Sequence, residues 1–194
     1  MNKLKNELNK IANLTEQELS LIVNSMEKKE FKKGSIIHYG GEIMQDLYYL
    51  SSGVAKSSFY SENGAEFIWQ LYFNFNNSHI KNAILDDCVS FYEQSPSELT
   101  FEALEDVALY KIPMQKLEEI YKQNCSWQKV ALHLQQNAYN SAYKRVISMM
   151  SKDAKTRYNE LVSKNPNIFN YVKSYHIAAY IGITPQSLSR LRKN

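Results

Sequence analysis

The alternation of apolar and polar positions divides the chain into three regimes. In residues 1–30, Leu4, Leu8, Ile11 and Leu14 recur at helical spacing. Thr15-Glu-Gln-Glu18 has the form of a capping box that opens a second helix carrying Leu19, Ile22 and Val23. Residues 31–112 change to short runs of β-forming residues separated by turn signals, and Gly34, Gly40, Gly41, Gly53 and Gly64 all lie there. Asn63-Gly64 sits between two such runs, 54–60 and 67–73, and predicts a hairpin. Leu99, Phe101 and Ala103 alternate with polar partners, and a turn at Glu105-Asp106 leads into a further strand over 107–112. Many short strands in one block indicate a sandwich or barrel.

From Met114 the pattern is helical to the end. Val130, Leu134, Ala138, Ala142 and Val146 form a stripe spaced by four, with Ala131 and Ser141 beside it. Such a stripe either packs the helix on its own barrel or forms a two-fold seam with a second copy, and the spacing leaves both open. A further helix is expected over 153–163, ended by Asn165-Pro166.

Composition narrows the class. At 44% hydrophobic and 22% charged residues the chain is an ordinary globular one. No run approaches the roughly 18 uninterrupted apolar residues of a membrane span. The basic N-terminus has no apolar run behind it, so no secretory signal and no membrane partner are expected, and a cytoplasmic protein is. Cys88 and Cys125, the only cysteines, are too few and too far apart for a disulfide scaffold, a zinc site or an iron–sulfur cluster. Net charge adds an asymmetry. Of the overall +3, residues 152–194 carry +6, with Asp153 and Glu160 as their only acids, and residues 1–151 carry −3. A basic end on an acidic body suits a polyanion, although a solvated face has the same composition.

Residues 174–193 make that partner specific. Ile177, Ala178 and Ile181 give a short apolar helical face, and Gly182 stands where a helix C-terminus takes a left-handed conformation. Ile183 fills the corner, Thr184 is an N-cap and Pro185 suits the first helical position. Leu188 and Leu191 turn inward, which leaves Gln186, Ser187, Ser189, Arg190 and Lys193 outward. This is the pattern of a helix-turn-helix rather than of a generic helical hairpin with a solvated basic end. In such motifs the second helix enters the major groove.

The whole length resembles the Crp/Fnr family of transcription regulators. The resemblance is carried by Phe31-Lys-Lys-Gly-Ser-Ile-Ile37, Gly41-Glu42, Leu47-Tyr-Tyr-Leu-Ser-Ser-Gly-Val54 and Ser95-Pro-Ser97. Phe101-Glu-Ala-Leu-Glu-Asp106, Ala154-Lys-Thr-Arg-Tyr158 and the run from Ile177 to Lys193 extend it. It implies an α+β chain: a β-roll of jelly-roll type over residues 1–113, like a cyclic-nucleotide-binding domain, a dimerisation helix over 114–149, and a winged helix-turn-helix over 150–194. It implies a homodimer on palindromic double-stranded DNA, with RNA polymerase as a further partner. By position in the motif, Gln186 and Arg190 match the family's base readers, with Thr184, Ser187, Ser189, Arg192 and Lys193 on phosphates or the groove edge. Pro185 stands where some members carry another reading arginine.

Family members that bind cyclic AMP grip its phosphate with a Gly-Glu and Arg-Ser/Thr-Ala segment. Residues 73–103 contain neither glycine nor arginine, and Ser97 falls at the place of the gripping arginine. A neutral hydroxyl forms no bidentate charged pair with phosphate, so no response to cyclic AMP is expected. Tyr92, Ser95 and Ser97 are candidates for another effector's pocket, and a loop explains them equally well. No cofactor is expected, and no enzyme. Two rival readings are a small-molecule-binding β-roll without DNA reading, and a cupin-like metal enzyme. The second would need histidines and a carboxylate converging inside the barrel, where only His38 and His79 offer themselves.

Overall fold

The computed structural model describes residues 1–75, 80–123 and 125–193, with the backbone alone at 80 and 81. Two helices open the chain, α1 (Asn2–Ile11) and α2 (Glu16–Asn24). The capping box forms as expected: the Glu18 amide donates to Thr15 Oγ1 at 3.2 Å, and the Thr15 amide donates to Glu18 Oε2 at 2.7 Å. The helical regime stops earlier than the pattern implies, because 27–31 already pair as a strand.

Eight strands follow: β1 (Glu27–Phe31), β2 (Ile36–His38), β3 (Asp46–Ser52), β4 (Val54–Tyr60), β5 (Glu66–Phe73), β6 (Ile84–Leu85), β7 (Thr100–Ala103) and β8 (Val107–Pro113). They form two four-stranded antiparallel sheets, in the orders β1-β8-β3-β6 and β2-β7-β4-β5. The chain passes from one sheet to the other six times, most tightly between β3 and β4 at Gly53 and between β7 and β8 at 104–106. At Gly53, φ is +88° and a Cβ would lie 2.4 Å from the Asp106 carbonyl oxygen, so only glycine lets the two crossings pass each other. Leu50, Leu85, Leu109 and Ile112 of one sheet meet Ala55, Tyr72, Phe101 and Ala103 of the other in the roll's interior. The hairpin at Asn63-Gly64 is present, with a longer loop than a two-residue turn. Gly64 alone has positive φ, and the Ser61 amide donates to the Ala65 carbonyl at 3.0 Å.

After α3 (Cys88–Glu93), which lies between β6 and β7, the helical part begins with α4 (Met114–Tyr121) and α5 (Cys125–Ser151). At 27 residues, α5 is roughly 40 Å long. Trp127 and Val130 bury its first turns against the roll, but nothing beyond Val130 is fully buried. Tyr139, Tyr143, Val146, Ile147 and Met150 stay exposed. The stripe from Val130 to Val146 therefore belongs to the barrel at one end and is uncovered at the other.

The chain ends in α6 (Ala154–Lys164), the single turn α7 (Ile168–Tyr171), α8 (Ser174–Ile181) and α9 (Pro185–Lys193). Asp153 caps α6 through the Thr156 amide at 2.8 Å. The helix-turn-helix is present, and no strand of a wing lies among the described residues. Among the described residues no strand follows β8, and α7 occupies the connection between α6 and α8. The last three of these helices also have no core of their own. Ile168, Val172, Ile177, Ala178, Ile181 and Leu188 share one apolar cluster with Val54, Ile68, Leu71, Phe73 and Leu104 of the roll.

Candidate nucleic-acid interface and effector groove

The local chemistry of 174–193 produces the bihelical turn that the sequence predicts. Gly182 ends α8 in the left-handed region at φ +70°, and the Ile183 amide returns to the Ala178 carbonyl at 3.0 Å. The Ser187 amide donates to Thr184 Oγ1 at 3.2 Å, which caps α9. Ile177, Ala178, Ile181 and Leu188 are buried, while Ile183 and Leu191 are half-buried at the edge of that core. Thr184, Pro185, Gln186, Ser189, Arg190, Arg192 and Lys193 are exposed. Two of the side chains expected on phosphates or the groove edge turn back on the protein. Ser187 is half-buried with its hydroxyl 3.0 Å from that of Thr184. Arg192 lies over the Phe169 ring at 4.3 Å and donates to Ser174 Oγ at 3.2 Å. Gln186, Ser189, Arg190 and Lys193 thus make up the free face of α9.

Below this face, α8 rests on the outer surface of β4 and β5. His176 is buried there and its Nδ1 has no hydrogen-bond partner among the described residues. Burial, and then the nearby Lys56 ammonium, push its pKa down to about 4. Lys56 itself is buried between Glu66 and Glu102, 3.0 Å from the latter. Burial opposes its charge, but the two carboxylates outweigh that and hold its pKa above the ordinary lysine value.

The three effector candidates separate. Ser97 is fully engaged: its hydroxyl donates to Asp87 Oδ2 at 2.7 Å and accepts from the Leu99 amide at 3.0 Å. Asp87 in turn caps α3 through the Ser90 amide at 3.2 Å, so Ser97 fastens a loop to a helix. Ser95 uses its backbone, whose carbonyl accepts from Ser90 Oγ at 2.6 Å. Tyr92 alone lines a groove, of about 1310 Å³, that runs along α5 between the roll and the other helices, reaching α4, α6 and α8. Trp69, Tyr72, Phe73, Asp86 and Cys88 form its roll side, and Ala138, Tyr139 and Ala142 its helix side. The thiol of Cys88 donates to Asp86 Oδ2 at 3.0 Å, and burial raises the Asp86 carboxyl and the Cys88 thiol above their ordinary pKa values. No lysine or arginine of the roll reaches this wall among the described residues. Asp86 and Arg145, which also lines the groove, escape sequence reasoning, because a lone acid after a strand and a charge in a long helix carry no distinguishing pattern.

Of the two histidines that the cupin reading needs, His79 lies outside the described residues. His38 has its Nε2 3.2 Å from the Glu42 carbonyl. Among the described residues, no three histidine, cysteine or acidic side chains come together as a metal site, and no helix is long and apolar enough to cross a membrane.

A family model described as the cyclic nucleotide-binding domain matches residues 28–124, which is half of the chain. The chain belongs to the cyclic nucleotide-binding domain family. The match runs from β1 past α4 and so spans the whole roll. No match was found among curated proteins. Solved structures extend the likeness beyond this domain. A protein described as a Crp/Fnr-family transcriptional regulator from Eubacterium rectale is 20% identical with a TM-score of 0.67, covering 93% of this chain and 83% of that one. FixK2 from Bradyrhizobium japonicum is 14% identical with a TM-score of 0.71, covering 87% and 83%. A CooA variant from Carboxydothermus hydrogenoformans is 14% identical with a TM-score of 0.68, covering 93% and 80%. A cyclic nucleotide-binding roll followed by a long helix and a helix-turn-helix is therefore the fold of Crp/Fnr regulators.

Proposed function

We propose that the chain is a sequence-specific DNA-binding transcription regulator of the Crp/Fnr type, acting as a homodimer on a palindromic site. The observation that carries this reading is the free face of α9. Gln186, Ser189, Arg190 and Lys193 point away from the buried cluster that α8 and α9 share with the roll and have no structural task of their own. Arginine presents a fork that suits guanine, and glutamine one that suits adenine. Arg190 and then Gln186 read bases, while Thr184, Ser189 and Lys193 hold phosphates. Pro185 and Ser187 serve the cap, and Arg192 reaches phosphate only if it leaves Phe169. The exposed aromatic and aliphatic face of α5 from Tyr139 to Met150 is the seam with a second copy, which sets two reading helices about 34 Å apart. The functional division follows the segments 1–113, 114–149 and 150–194. RNA polymerase is the further partner that a regulator of this type addresses.

The effector side of this reading excludes cyclic AMP. A phosphate at the roll wall of the groove would face Asp86, with no cation of the roll beside it among the described residues, because the groove's cations, Lys144, Arg145, Lys152, Arg157 and Lys164, come from the helical part. An effector, where one acts, is a molecule other than a cyclic nucleotide, and Tyr92 is the candidate that remains from the sequence.

Selection of bound sequences from random duplex DNA tests the reading, and a palindrome with half-sites one helical turn apart is the expected product. On that site Arg190→Ala costs about 1–3 kcal/mol and relaxes one base preference, whereas Lys193→Ala weakens all sequences alike and lowers the salt dependence. An equal loss on every duplex from Arg190→Ala would remove it from base reading.

A further inference from the structure

Arg145 sits near the C-terminal end of α5, where a long helix with exposed sides would ordinarily hold a solvated charge. Instead its guanidinium is largely buried at the meeting of three elements. One NH2 nitrogen donates to the Ile68 carbonyl of β5 at 2.7 Å and to the Tyr180 carbonyl of α8 at 2.8 Å. The guanidinium lies 4.2 Å from the Tyr180 ring centroid, 5.1 Å from Phe67 and 5.8 Å from Trp69. No carboxylate pairs with it among the described residues, and its Nε has no hydrogen-bond partner among them. Burial pulls its pKa below the ordinary arginine value.

A buried cation without a counter-ion is costly unless fixed dipoles and π-faces replace its water. Here they come from two different parts of the protein, with Ile68, Phe67 and Trp69 on the roll, and Tyr180 with its carbonyl on the helix-turn-helix. Moving α8 away would remove half of this shell, so the seating of Arg145 and the docking of the reading head are one event. The neighbouring contacts follow the same line. Met149, one turn further along α5, lies against Gly182, where a Cβ would come within 2.5 Å of Met149 Cε. Arg157 Nε of α6 donates to the Ile181 carbonyl at 2.9 Å and makes α6 move with α8.

We propose that Arg145 is a positioning residue that fixes the orientation of the helix-turn-helix against both the roll and the dimer helix, and so sets the spacing at which two reading heads meet DNA. The inference rests on the DNA-reading proposal for its consequence but not for its geometry, and the two are tested apart. Spin labels at Tyr60→Cys, on the β4–β5 hairpin, and Ser163→Cys, on α6, in a Cys88→Ser, Cys125→Ser background report head orientation without DNA. Both labelled positions are exposed. With the labelled protein diluted in excess unlabelled chain so that distances within one chain dominate, Arg145→Met should broaden or shift the distance distribution. Arg145→Lys, which keeps the charge but lacks the fork, should do so to a lesser degree. On duplexes that differ only in half-site spacing, Arg145→Met should flatten the preference among spacings and weaken the best site roughly tenfold. A variant that is only less stable would bind with fewer active molecules and keep the preference. An unchanged distance distribution in Arg145→Met, or an unchanged spacing preference in a protein that binds DNA, overturns the proposal. If the unsubstituted protein binds no duplex at any salt, the DNA-reading proposal fails and the distance measurement alone decides the role of Arg145.

Discussion

The exposed face of α9 and the groove beside α5 are both surfaces on which a partner is expected, yet the chain assembles them in opposite ways. The α9 face is made within twenty residues, by a glycine turn, a threonine cap and leucines at helical spacing. The groove draws on β5, on residues 82–92 and on α5, segments far apart in sequence. One is therefore specified by local backbone chemistry and the other by how the roll and the long helix happen to meet. Dependence runs the other way in energetics. The local motif has no core of its own and is held by the outer surface of β4 and β5, whereas the roll that forms the groove wall has a complete interior.

Removing the shared core should break this contrast most visibly. Leu188 is fully buried in the cluster that joins α9 to Val54 and Ile68. Leu188→Ala is expected to cost about 2–5 kcal/mol, as for other buried leucines. Because the cluster spans both parts, thermal unfolding followed by tyrosine fluorescence should remain one transition at a lower temperature. A separate early transition of the helical end, with the roll's own transition unmoved, would show that the head is an independent unit.

A change of pH probes the same junction more gently. His176 is held neutral between α8 and the sheet, facing Lys56 and Glu66 of the roll, with Lys173 at the start of its own helix. The unfolded chain takes up this proton near pH 6.5, while the folded chain does so only near 4. Between those values the unfolded state binds more protons, so stability falls as pH falls. The expected loss is on the order of 2 kcal/mol by pH 4, read from denaturant midpoints. Carboxylates elsewhere add their own acid dependence, and His176→Gln isolates the histidine's share. A slope unchanged by that substitution between pH 6.5 and 5 would mean that His176 reaches water and α8 is not firmly seated.

The same contrast explains what could be read from residue order alone. Thr15 with Glu18, Asn63-Gly64 and the Gly182-Ile-Thr-Pro185 turn all act on neighbours a few positions away, and each forms as the pattern implies. The two tightest sheet crossings, at Gly53 and 104–106, were visible as turns, but that they carry the chain from one sheet to the other was not, since no local signal says which strands pair. Ser97 resembled a pocket residue by its place in a motif, and it is spent on Asp87 instead, a partner ten positions away. Arg145 is one of three lysines and arginines in α5, beside Lys129 and Lys144, and nothing in the order of residues sets it apart. Its shell of carbonyls and rings comes from Ile68 and Tyr180, 77 and 35 positions distant, and no spacing rule reaches so far.

The smallest expected effect bears on the groove. A ligand that binds only the folded state raises stability by about 2.7 kcal/mol at a hundred times its Kd. Cyclic AMP at millimolar concentration should produce no measurable rise in melting temperature, because its phosphate would enter beside Asp86 and find neither a glycine cradle nor an arginine between residues 73 and 103. The absence of a shift is informative only against a control for the groove's competence. Asp86→Asn supplies one, since it removes the acid and keeps the hydrogen-bonding shape that Cys88 meets. If repulsion by Asp86 is the main barrier, Asp86→Asn should gain weak cyclic AMP stabilisation, smaller than that of a protein with a gripping arginine. If the missing arginine dominates, neither protein responds, and the groove's departure from nucleotide binding lies in what Ser97 has been made to do. A clear stabilisation of the unsubstituted protein by cyclic AMP would contradict both, and would return the groove to the nucleotide class that its fold shares.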